Sequence, residues 1–474
     1  MYSMDRLIFL LTLGTFMASI DATIVVLALP IISEELSSPL FLTSWIIILY
    51  TLVIAVFTTQ LGRIGDIYGR AKMYNLGFMI FTIGSALCGF SINIFMLLAS
   101  RVIQAIGGAL LQANSGAIIA DNYPRQRIGR PFGYLALGWN LGATAGVFLG
   151  GLITTLLGWR FIFFINIPVG VVATTLGFKV LKDKNKVNAK LDILGASLLL
   201  ISLTLYSLSS SYITVEGISL SNVILIILGT IFLLLFILTE RTAESPLIDL
   251  RVFKNRVLSA SLFASLFQSL GAISISFLFT LYLQGIRGFT PLYTSLILSP
   301  SYILASIFSP IAGRLTDKYG ARVIATLGLS IMLVAVVCYI LLLTPDTSIL
   351  LIALVSSLIG VGSSLFYPAN NSAIMGNARA EYYGSISGML RTLGNIGILG
   401  SYALSISISS LTIPRNIALS VFSGSVSLGG LPIEYISGIR DSLIVSVGII
   451  VVAIILSLIR GKEERLSARS DFNH

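Results

Sequence analysis

Histidine and cysteine are almost absent from this sequence, and so are the motifs of the common enzyme classes. The one histidine is the last residue, His474, which argues against a histidine-based active site or metal centre. Cys88 and Cys338 stand alone in apolar runs without CxxC spacing, and we interpret them as small buried hydrophobic residues. HExxH, P-loop and GxSxG patterns do not occur. The sequence therefore predicts no enzymatic activity, no cofactor and no metal site.

Charged residues are also scarce. They make up 11% of the 474 residues, whereas 56% are apolar, and a soluble protein has about a quarter charged residues. The mean hydropathy is +0.96. The charges are confined to short clusters between apolar runs that are long enough to cross a bilayer at about 20 residues each. This pattern predicts an all-α polytopic membrane protein without a sizeable soluble domain.

The apolar runs predict fourteen transmembrane helices. They are expected at residues 6–29, 41–61, 73–92, 95–119, 131–156, 161–181, 193–212, 222–239, 257–284, 293–313, 323–343, 349–375, 385–411 and 442–460. We divide the chain into an N-terminal six-helix bundle (1–182), a linker with two extra transmembrane helices (183–256), and a C-terminal six-helix bundle with a cytoplasmic tail (257–474).

The positive charges indicate the orientation of these helices. Most of the 30 Lys and Arg residues fall in alternate loops, and the other set of loops holds only Arg160, Arg287, Arg415 and Arg440. Basic loops stay on the cytoplasmic side. The sequence thus predicts a multi-pass protein of the plasma membrane with both termini in the cytoplasm. The net charge of +10 then reflects orientation, and no nucleic-acid partner is expected.

An internal repeat divides the chain into two halves. The ten residues from Gly62 share five identities with the ten from Gly313, and both copies are expected in the cytoplasmic loop after the second helix of a six-helix set. Repeated halves around a central site are typical of secondary transporters. In each copy the glycines permit close backbone approach, and the acid can accept hydrogen bonds from a helix N-terminus. The residues in question are Gly62, Asp66, Gly69 and Arg70 in the first copy and Gly313, Asp317 and Gly320 in the second.

Asp21 lies inside the first apolar run, and every other acidic residue falls in a loop, a tail or a helix end. A carboxylate at membrane depth costs several kcal/mol and suggests a functional site, although an acid can also snorkel to an interface. Arg101 lies inside the fourth helix. At ~1.5 Å per residue, the two side chains are at depths of about 12 and 9 Å from the same surface. We therefore predict that Arg101 is the counter-charge of Asp21.

The fifth predicted helix carries a stripe of glycines. Gly138, Gly142, Gly146 and Gly150 recur every four residues. This spacing places them on one face of the helix and permits tight packing against a neighbour.

Other polar and aromatic residues within the helices are candidates for lining a substrate cavity. Each has a simpler interpretation, because amides also form hydrogen bonds between helices and aromatic rings also pack in apolar cores. Arg391 is equally compatible with a cavity and with snorkelling to the cytoplasmic surface. The candidates are Tyr50, Gln104, Trp139, Asn140, Gln284, Phe366, Asn370, Asn371 and Arg391.

Several stretches together resemble the major facilitator superfamily, and within it the fourteen-helix drug:proton antiporters. They are Asp21–Pro30, Gly62–Lys72, Leu98–Gly107, Trp159–Pro168, Tyr282–Gln284 and Gly360–Asn371. The resemblance implies two six-helix bundles with two inserted helices, and a cytoplasmic gate formed by the repeated motif. The glycine stripe is similar to the antiporter motif of the superfamily, but Val147 replaces its usual proline.

The resemblance implies a monomeric, proton-coupled antiporter that exports drugs or other amphipathic small molecules by alternating access, with Asp21 and Arg101 coupling transport to protons. An alternative with the same fold is a transporter of an organic anion, a sugar-like solute or a siderophore, in which Arg101 and Arg391 hold a substrate carboxylate. A membrane sensor or membrane enzyme is a third hypothesis, but the sequence has no recognisable output domain or catalytic motif.

Overall fold

The protein is all-helical in the computed structural model, which describes residues 2–25, 28–183, 190–216, 219–244, 246–247, 250–409 and 435–461. The described residues form sixteen α-helices. Those of the N-terminal part are α1 (Tyr2–Ile24), α2 (Leu29–Glu35), α3 (Leu40–Tyr68), α4 (Arg70–Gly89), α5 (Ile94–Asn122), α6 (Gly129–Leu156), α7 (Phe161–Phe164) and α8 (Asn166–Val180).

The remaining helices form the linker and the C-terminal part. The linker contains α9 (Ile193–Glu216) and α10 (Leu220–Thr242). The C-terminal part contains α11 (Arg256–Thr280), α12 (Pro291–Tyr319), α13 (Ala321–Leu342), α14 (Ile349–Asn377), α15 (Tyr383–Ser409) and α16 (Tyr435–Ile459), and a π-helical turn (Leu281–Ile286) follows α11.

Each of the fourteen predicted runs overlaps a helix of the structure. Ten of the described helical segments are long and apolar enough to span a membrane, so the number of fourteen spans stays a prediction. Residues 26–27 of the first run, residues 410–411 of the thirteenth, part of the basic loop (184–189) and the predicted tail from 462 onward lie outside the described residues.

The sequence predicts the repeated motif as a loop, but most of it is helical in the structure. Helix α3 continues through the first copy to Tyr68, and α12 continues through the second copy to Tyr319. Each helix ends only at a glycine with positive φ, which is 114° at Gly69 and 91° at Gly320. Such a backbone conformation is strained for other residues. The polar residues of the motif therefore project from helix ends.

The two bundles meet along two seams, α3 against α15 and α6 against α12. We call the end of the protein that carries Gly69 and Gly320 the basic face, because clusters of Lys and Arg surround it, and the end that carries Asn93 and Trp159 the opposite face. The linker helix α9 packs against α10, α3 and α15. Leu199 and Leu203 of α9 share an apolar cluster with Leu52 of α3, so the inserted pair lies beside the first seam.

The glycine stripe packs α6 against α1. An added Cβ at Gly138 would lie 2.5 Å from the carbonyl oxygen of Thr12, and one at Gly150 would lie 2.9 Å from that of Ile24. Backbones this close leave no room for a side chain. The stripe thereby fixes the position of α1, which carries Asp21.

Candidate functional site

Asp21 and Arg101 form an ion pair inside the N-terminal bundle. Nη1 of Arg101 donates a hydrogen bond of 2.7 Å to Oδ2 of Asp21, and the two residues are 0% and 1% exposed. The predicted counter-charge is therefore in direct contact with the acid. Removing one partner of such a pair leaves the other charge buried and uncompensated, a loss of about 3–5 kcal/mol.

Gln104 joins the two charged groups. One turn after Arg101 on α5, its Nε2 donates to Oδ1 of Asp21 at 2.7 Å, and its Oε1 accepts from Nη1 of Arg101 at 2.6 Å. The same Nε2 lies 2.6 Å from Oγ of Ser85 on α4, and the thiol of Cys88 approaches Oε1 at 3.7 Å. The amide satisfies both members of the pair and ties α1, α4 and α5 together.

Two further helices, α3 and α8, complete the surroundings of the pair. Nδ2 of Asn166, at the start of α8, donates to Oδ1 of Asp21 at 3.3 Å. On α3, the carbonyl oxygen of Ile46 accepts from Nε of Arg101 at 3.2 Å, and the ring of Tyr50 lies 4.2 Å from the guanidinium carbon. Asp21 thus accepts hydrogen bonds from the side chains of Arg101, Gln104 and Asn166.

Sequence reasoning missed Ser85 and Asn166 as members of this cluster. Asn166 belongs to the quoted stretch Trp159–Pro168, so a signal was present, but its distance from Asp21 along the chain hid the contact. Ser85 gives no signal of its own, because a serine in an apolar helix usually bonds the backbone of its own turn.

A first charged network lies at the basic face. Asp66, near the end of α3, accepts hydrogen bonds from the backbone nitrogens of Gly384 (2.9 Å) and Ser385 (3.1 Å) at the start of α15. A carboxylate is favourable there because it caps free N–H groups at the positive end of the helix dipole. We call these contacts the first lock, since they join the two bundles.

Arg70 and Asp121 reinforce the first lock. The guanidinium of Arg70 contacts Asp66 at 2.6 Å and Asp121 at 2.6 Å, and its Nη2 donates to the carbonyl oxygen of Ala380 in the C-terminal bundle at 2.7 Å. Both Arg70 and Asp66 are buried. Asp121 had no role in the sequence interpretation, because an acid at a helix end is an ordinary surface feature.

A second lock has the same arrangement, but here the acid belongs to the C-terminal bundle and the helix N-terminus belongs to the N-terminal bundle. Asp317, near the end of α12, accepts hydrogen bonds from the backbone nitrogens of Gly129 (2.8 Å) and Arg130 (3.0 Å) at the start of α6. An added Cβ at Gly313 would lie 2.5 Å from the carbonyl oxygen of Gly129. In the first lock, Gly62 and Gly384 are in equally close contact. The repeated motif therefore closes both seams at the basic face.

An exposed ion pair lies at the opposite face. Glu35, the last residue of α2, accepts a hydrogen bond of 2.7 Å from Nε1 of Trp159 and contacts Nη1 of Arg160. These contacts hold the connection between α1 and α3 against the start of α7. The hydrogen bond from Arg160 lowers the pKa of Glu35 below its ordinary value of 4.5.

A cavity lies between the bundles, about half-way along α1 and α6. Its volume is about 10 Å³, room for about one water molecule, and its lining residues come from α1, α5 and α6 of one bundle and α15 of the other. They are Gly14, Thr15, Ala18, Leu111, Gln112, Trp139 and Arg391. Two of the nine predicted cavity residues, Trp139 and Arg391, line this cavity.

The other predicted cavity residues lie elsewhere. Tyr50 and Gln104 belong to the Asp21 cluster, and Phe366 is packed in the core of the C-terminal bundle. Asn140 donates to Oγ of Ser309 across the second seam, and Asn370 donates to the carbonyl oxygen of Ser261. Gln284 is buried in the π-helical turn, and Asn371 is buried on α14. Asn140 and Asn370 therefore form hydrogen bonds between helices, and Phe366 packs in an apolar core, in agreement with the simpler interpretation of these residues.

Comparison with known proteins gives a family match and several named relatives. The family model described as Major Facilitator Superfamily matches residues 11–402. The riboflavin transporter RibZ of Clostridioides difficile is 31% identical over 392 residues, which cover 82% of this chain and 84% of that protein. The multidrug resistance protein Stp of Mycobacterium tuberculosis is 28% identical over 399 residues, covering 83% of this chain and 73% of that protein.

One further relative and one solved structure complete the comparison. The methylenomycin A resistance protein of Bacillus subtilis is 28% identical over 400 residues, which cover 83% of this chain and 85% of that protein. The human organic anion transporter MFSD10 has a crystal structure that superimposes with a TM-score of 0.64 and 15% identity, covering 96% of this chain and 99% of that one. At this identity the structural likeness concerns the fold alone.

Proposed function

The chain belongs to the major facilitator superfamily and is a multi-pass membrane transporter, and from this premise we propose that it is a fourteen-helix antiporter that exports drugs or other amphipathic small molecules in exchange for protons. The observation that carries the proposal is the ion pair of Asp21 and Arg101, sealed inside the N-terminal bundle next to a central cavity. Two relatives named for drug resistance agree with export.

Asp21 is the proposed proton carrier. A proton that binds its carboxylate removes the negative partner of Arg101 and converts an acceptor of three hydrogen bonds into a neutral acid. Ala18, which lines the cavity, lies one turn before Asp21 on α1. A substrate that displaces this part of α1 therefore changes the surroundings of the acid, which links substrate binding to proton release.

The energy of one proton suffices for useful export. Moving one charge across about 100 mV releases about 2.3 kcal/mol. Because each ~1.4 kcal/mol is a factor of ten in an equilibrium constant, this energy sustains a substrate gradient of roughly fifty-fold.

The two locks are the proposed cytoplasmic gate. We take the basic face as cytoplasmic because positively charged loops remain on that side. We propose accordingly that the protein lies in the plasma membrane with both termini in the cytoplasm. Opening the locks would expose the cavity to the cytoplasm, and closing them would direct it to the opposite face. The units that move are the bundles 1–182 and 257–474, joined by the linker 183–256, in a transporter that works as a monomer.

The test is proton movement in liposomes that contain the purified protein. Ethidium is added under an imposed pH gradient, and dye flux and internal pH are recorded together. We expect the wild-type protein to exchange dye for protons, and Asp21→Asn to lose the proton signal, since the amide cannot release a proton. Asp346→Asn, at an exposed acid between α13 and α14, is the matched control and is expected to behave as the wild type.

Two results would contradict the proposal. If Asp21→Asn transports dye with an unchanged proton signal, Asp21 does not couple transport to protons. If the wild-type protein moves dye with the same rate and extent whatever the pH gradient, it is not a proton antiporter.

A further inference from the structure

An apolar cluster separates the ion pair of Asp21 and Arg101 from the opposite face. The ring centroid of Phe163, on α7, lies 5.7 Å from the guanidinium carbon of Arg101. Ile24, one turn after Asp21 on α1, and Leu97, one turn before Arg101 on α5, are fully buried. The cluster also contains Leu29 and Ile32 of α2 and the buried Trp159. Because a charge does not enter a dry apolar layer, a proton from this face reaches Asp21 only after water enters the cluster.

Two of the elements that form this cluster are short. Helix α2 has seven residues and α7 has four, whereas α1, α3 and α5 have 23, 29 and 29. A helix of four or seven residues has few backbone hydrogen bonds of its own and depends on contacts with its neighbours. We call α2 and the segment Trp159–Phe164 the lid, because they are the parts of the cluster that move most easily.

Glu35 joins the two parts of the lid. Its Oε2 accepts a hydrogen bond of 2.7 Å from Nε1 of Trp159, and its carboxylate contacts Arg160, whose guanidinium carbon lies 4.4 Å from the ring centroid of Trp159. The side chains of Glu35 and Arg160 are 47% and 35% exposed. Ion pairs with this exposure contribute little to stability, because water competes for both partners. The contact therefore orders the lid and is readily broken.

The connection between α2 and α3 is strained in the closed position. Ser37 has a φ of 48°, and it is the one non-glycine residue with positive φ in the part of the chain that the structure describes. This conformation is unfavourable for a residue with a Cβ atom, and such residues are frequent in switch segments. A hydrogen bond of 2.7 Å from Oγ of Ser33 to the carbonyl oxygen of Ser38 spans this connection. Movement of α2 relieves the strain at Ser37.

Asn166 connects the lid to Asp21. Only Ile165 separates the end of α7 from Asn166, the first residue of α8. The hydrogen bond from Nδ2 of Asn166 to Oδ1 of Asp21 is 3.3 Å long, whereas those from Arg101 and Gln104 are 2.7 Å. A displacement of α7 moves the start of α8, so this longest bond is the first to break. Oδ1 then becomes available to incoming water.

We infer that protons reach Asp21 from the opposite face beneath this lid, that Glu35 holds the lid closed, and that Asn166 is the positioning residue through which its opening reaches the carboxylate. The inference rests on the proposed function, because protons that drive export enter from this face. It also gives a role to the stretch Trp159–Pro168, which contacts Glu35 at one end and Asp21 near the other.

Cys88 is a natural reporter of lid opening. It is fully buried in the same apolar cluster, and its thiol lies 3.7 Å from Oε1 of Gln104. In a Cys338→Ser background it is the one remaining thiol. Its reaction with methyl methanethiosulfonate, a small neutral reagent, is followed by mass spectrometry of the purified protein in nanodiscs. The rate reports the fraction of molecules in which the lid is open.

Substitution of Glu35 tests how the lid is held. Glu35→Lys replaces the ion pair with two like charges, and we expect Cys88 to react about tenfold faster, which corresponds to ~1.4 kcal/mol. Glu34→Lys is the matched control, since Glu34 is the neighbouring exposed acid and its substitution changes the net charge equally. It is expected to react as the wild type. Equal rates in all three proteins, or an equal rise in both variants, would overturn the inference.

Ser37 provides a second test that changes no charge. Ser37→Gly accommodates the positive φ, so the closed lid is favoured and labelling of Cys88 is expected to slow by about fivefold. Ser37→Val is expected to speed it, because a β-branched residue tolerates this conformation worst. Changes in the same direction for both variants, or no change in either, would contradict a lid that moves at Ser37.

The role of Asn166 is tested by proton exchange. Dye-coupled proton movement is measured in liposomes over a range of external pH. Asn166→Ala removes one hydrogen bond to Asp21, and we expect it to change the dependence of the exchange rate on external pH. Thr175→Ala, which removes an exposed hydroxyl of the same helix, is the control and should keep the wild-type dependence. An unchanged dependence in Asn166→Ala would overturn the assignment of Asn166.

Failure of this inference is distinguishable from failure of the proposed function. Labelling of Cys88 needs no proton movement. If Asp21→Asn leaves proton exchange intact, the proposed function fails, while labelling that depends on Glu35 and Ser37 still shows a lid above the ion pair. Conversely, proton exchange that requires Asp21 stands even if Glu35→Lys leaves the labelling of Cys88 unchanged, and protons then enter by another route.

Discussion

The two locks at the basic face are copies of one motif, but the residue four positions after the acid differs between them. In both, an acid at a helix end accepts hydrogen bonds from the first backbone nitrogens of a helix in the other bundle. Only Asp66 also has an arginine four residues later, held by a second acid. The corresponding residue of the second copy is Ala321. The repeat therefore preserves the contact between the bundles, while the arginine at this position belongs to the first copy alone.

The two copies of a repeated motif therefore need not contribute equally to the stability of the closed state. Capping a helix N-terminus is a local interaction that any acid at the right position provides. The buried cluster of Asp66, Arg70 and Asp121 needs three side chains from three helices, and each depends on the others because an unpaired buried charge is costly. We accordingly expect the first lock to dominate closure of the basic face.

The largest effects are expected for substitutions of Asp66 and Asp317, and the effect at Asp66 is expected to be the greater. Asp66→Asn is expected to destabilise the closed state by about 3–5 kcal/mol, because it removes a partner from a buried charge network. Asp317→Asn is expected to cost about 1.5–3 kcal/mol, the range for hydrogen bonds to a charged group. The readout is labelling of Ser387→Cys, a buried position of α15 next to Gly116 in the seam. Equal labelling rates in the two variants would show that the locks are equivalent.

A double-mutant cycle measures the support that Arg70 and Asp121 give to the first lock. Arg70→Ala, Asp121→Asn and the combined variant are compared by the midpoint of thermal unfolding. The coupling is expected to reach about 1–3 kcal/mol, as for residues in one buried network. Arg130, the exposed arginine of the second lock, supplies the matched control, and Arg130→Ala is expected to show little coupling to Asp121→Asn. Additive effects of Arg70→Ala and Asp121→Asn would remove the distinction between the locks.

Close backbone contact is the property that the two locks share. Gly62→Ala and Gly313→Ala each place a methyl group against a backbone oxygen of the other bundle. We expect both to weaken closure by similar amounts, about 1–3 kcal/mol, the usual effect of overpacking. Labelling of Ser387→Cys is again the measurement. Gly448→Ala, whose added methyl group meets nothing within 4 Å, is the control and should leave labelling unchanged.

The exposed ion pair of Glu35 and Arg160 lies at the opposite face. We expect its contribution to stability to be the smallest of those compared. Because the pKa of Glu35 is lowered, its stabilising effect is present above the ordinary value and is lost as pH falls through the lowered one. Glu35→Gln should therefore lower the midpoint of thermal unfolding slightly at pH 7, by less than about 1 kcal/mol in stability. The difference from the wild type should shrink as the pH falls below 4.5 and disappear once it is below the lowered pKa of Glu35. A difference that persists in acid would mean that the charge of Glu35 is irrelevant.

The sequence indicated the ion pair of Asp21 and Arg101 because membrane depth can be counted along a helix. It also indicated that Asp66 can accept hydrogen bonds from a nearby helix N-terminus, because the glycines of the motif let backbones approach closely. It did not indicate which helix. The start of α15 is more than 300 residues away from Asp66, and only the packing of the two bundles brings Gly384 and Ser385 to it.

Counting positions along a helix did not identify which of the predicted residues line the cavity. Tyr50, Trp139 and Phe366 were equivalent candidates, because each is an aromatic residue in an apolar run. The structure packs Phe366 in a core, places Tyr50 over Arg101 and leaves Trp139 in the cavity. The angle at which a residue faces its neighbours depends on helix rotation and crossing, and those depend on contacts with helices far away in the chain.

The amino-acid sequence by itself determined that this protein is helical and lies in a membrane, that its two halves repeat, and that one buried acid has one arginine at the same depth. Each of these properties depends on composition, period or distance along the chain. Only the tertiary structure decided that Gln104, Ser85 and Asn166 complete the Asp21 cluster, that Arg70 and Asp121 support the first lock, and that Arg391 lines the cavity. The physical reason is that hydrogen bonds and ion pairs act over about 3 Å, and such distances between remote residues exist only after the helices have packed.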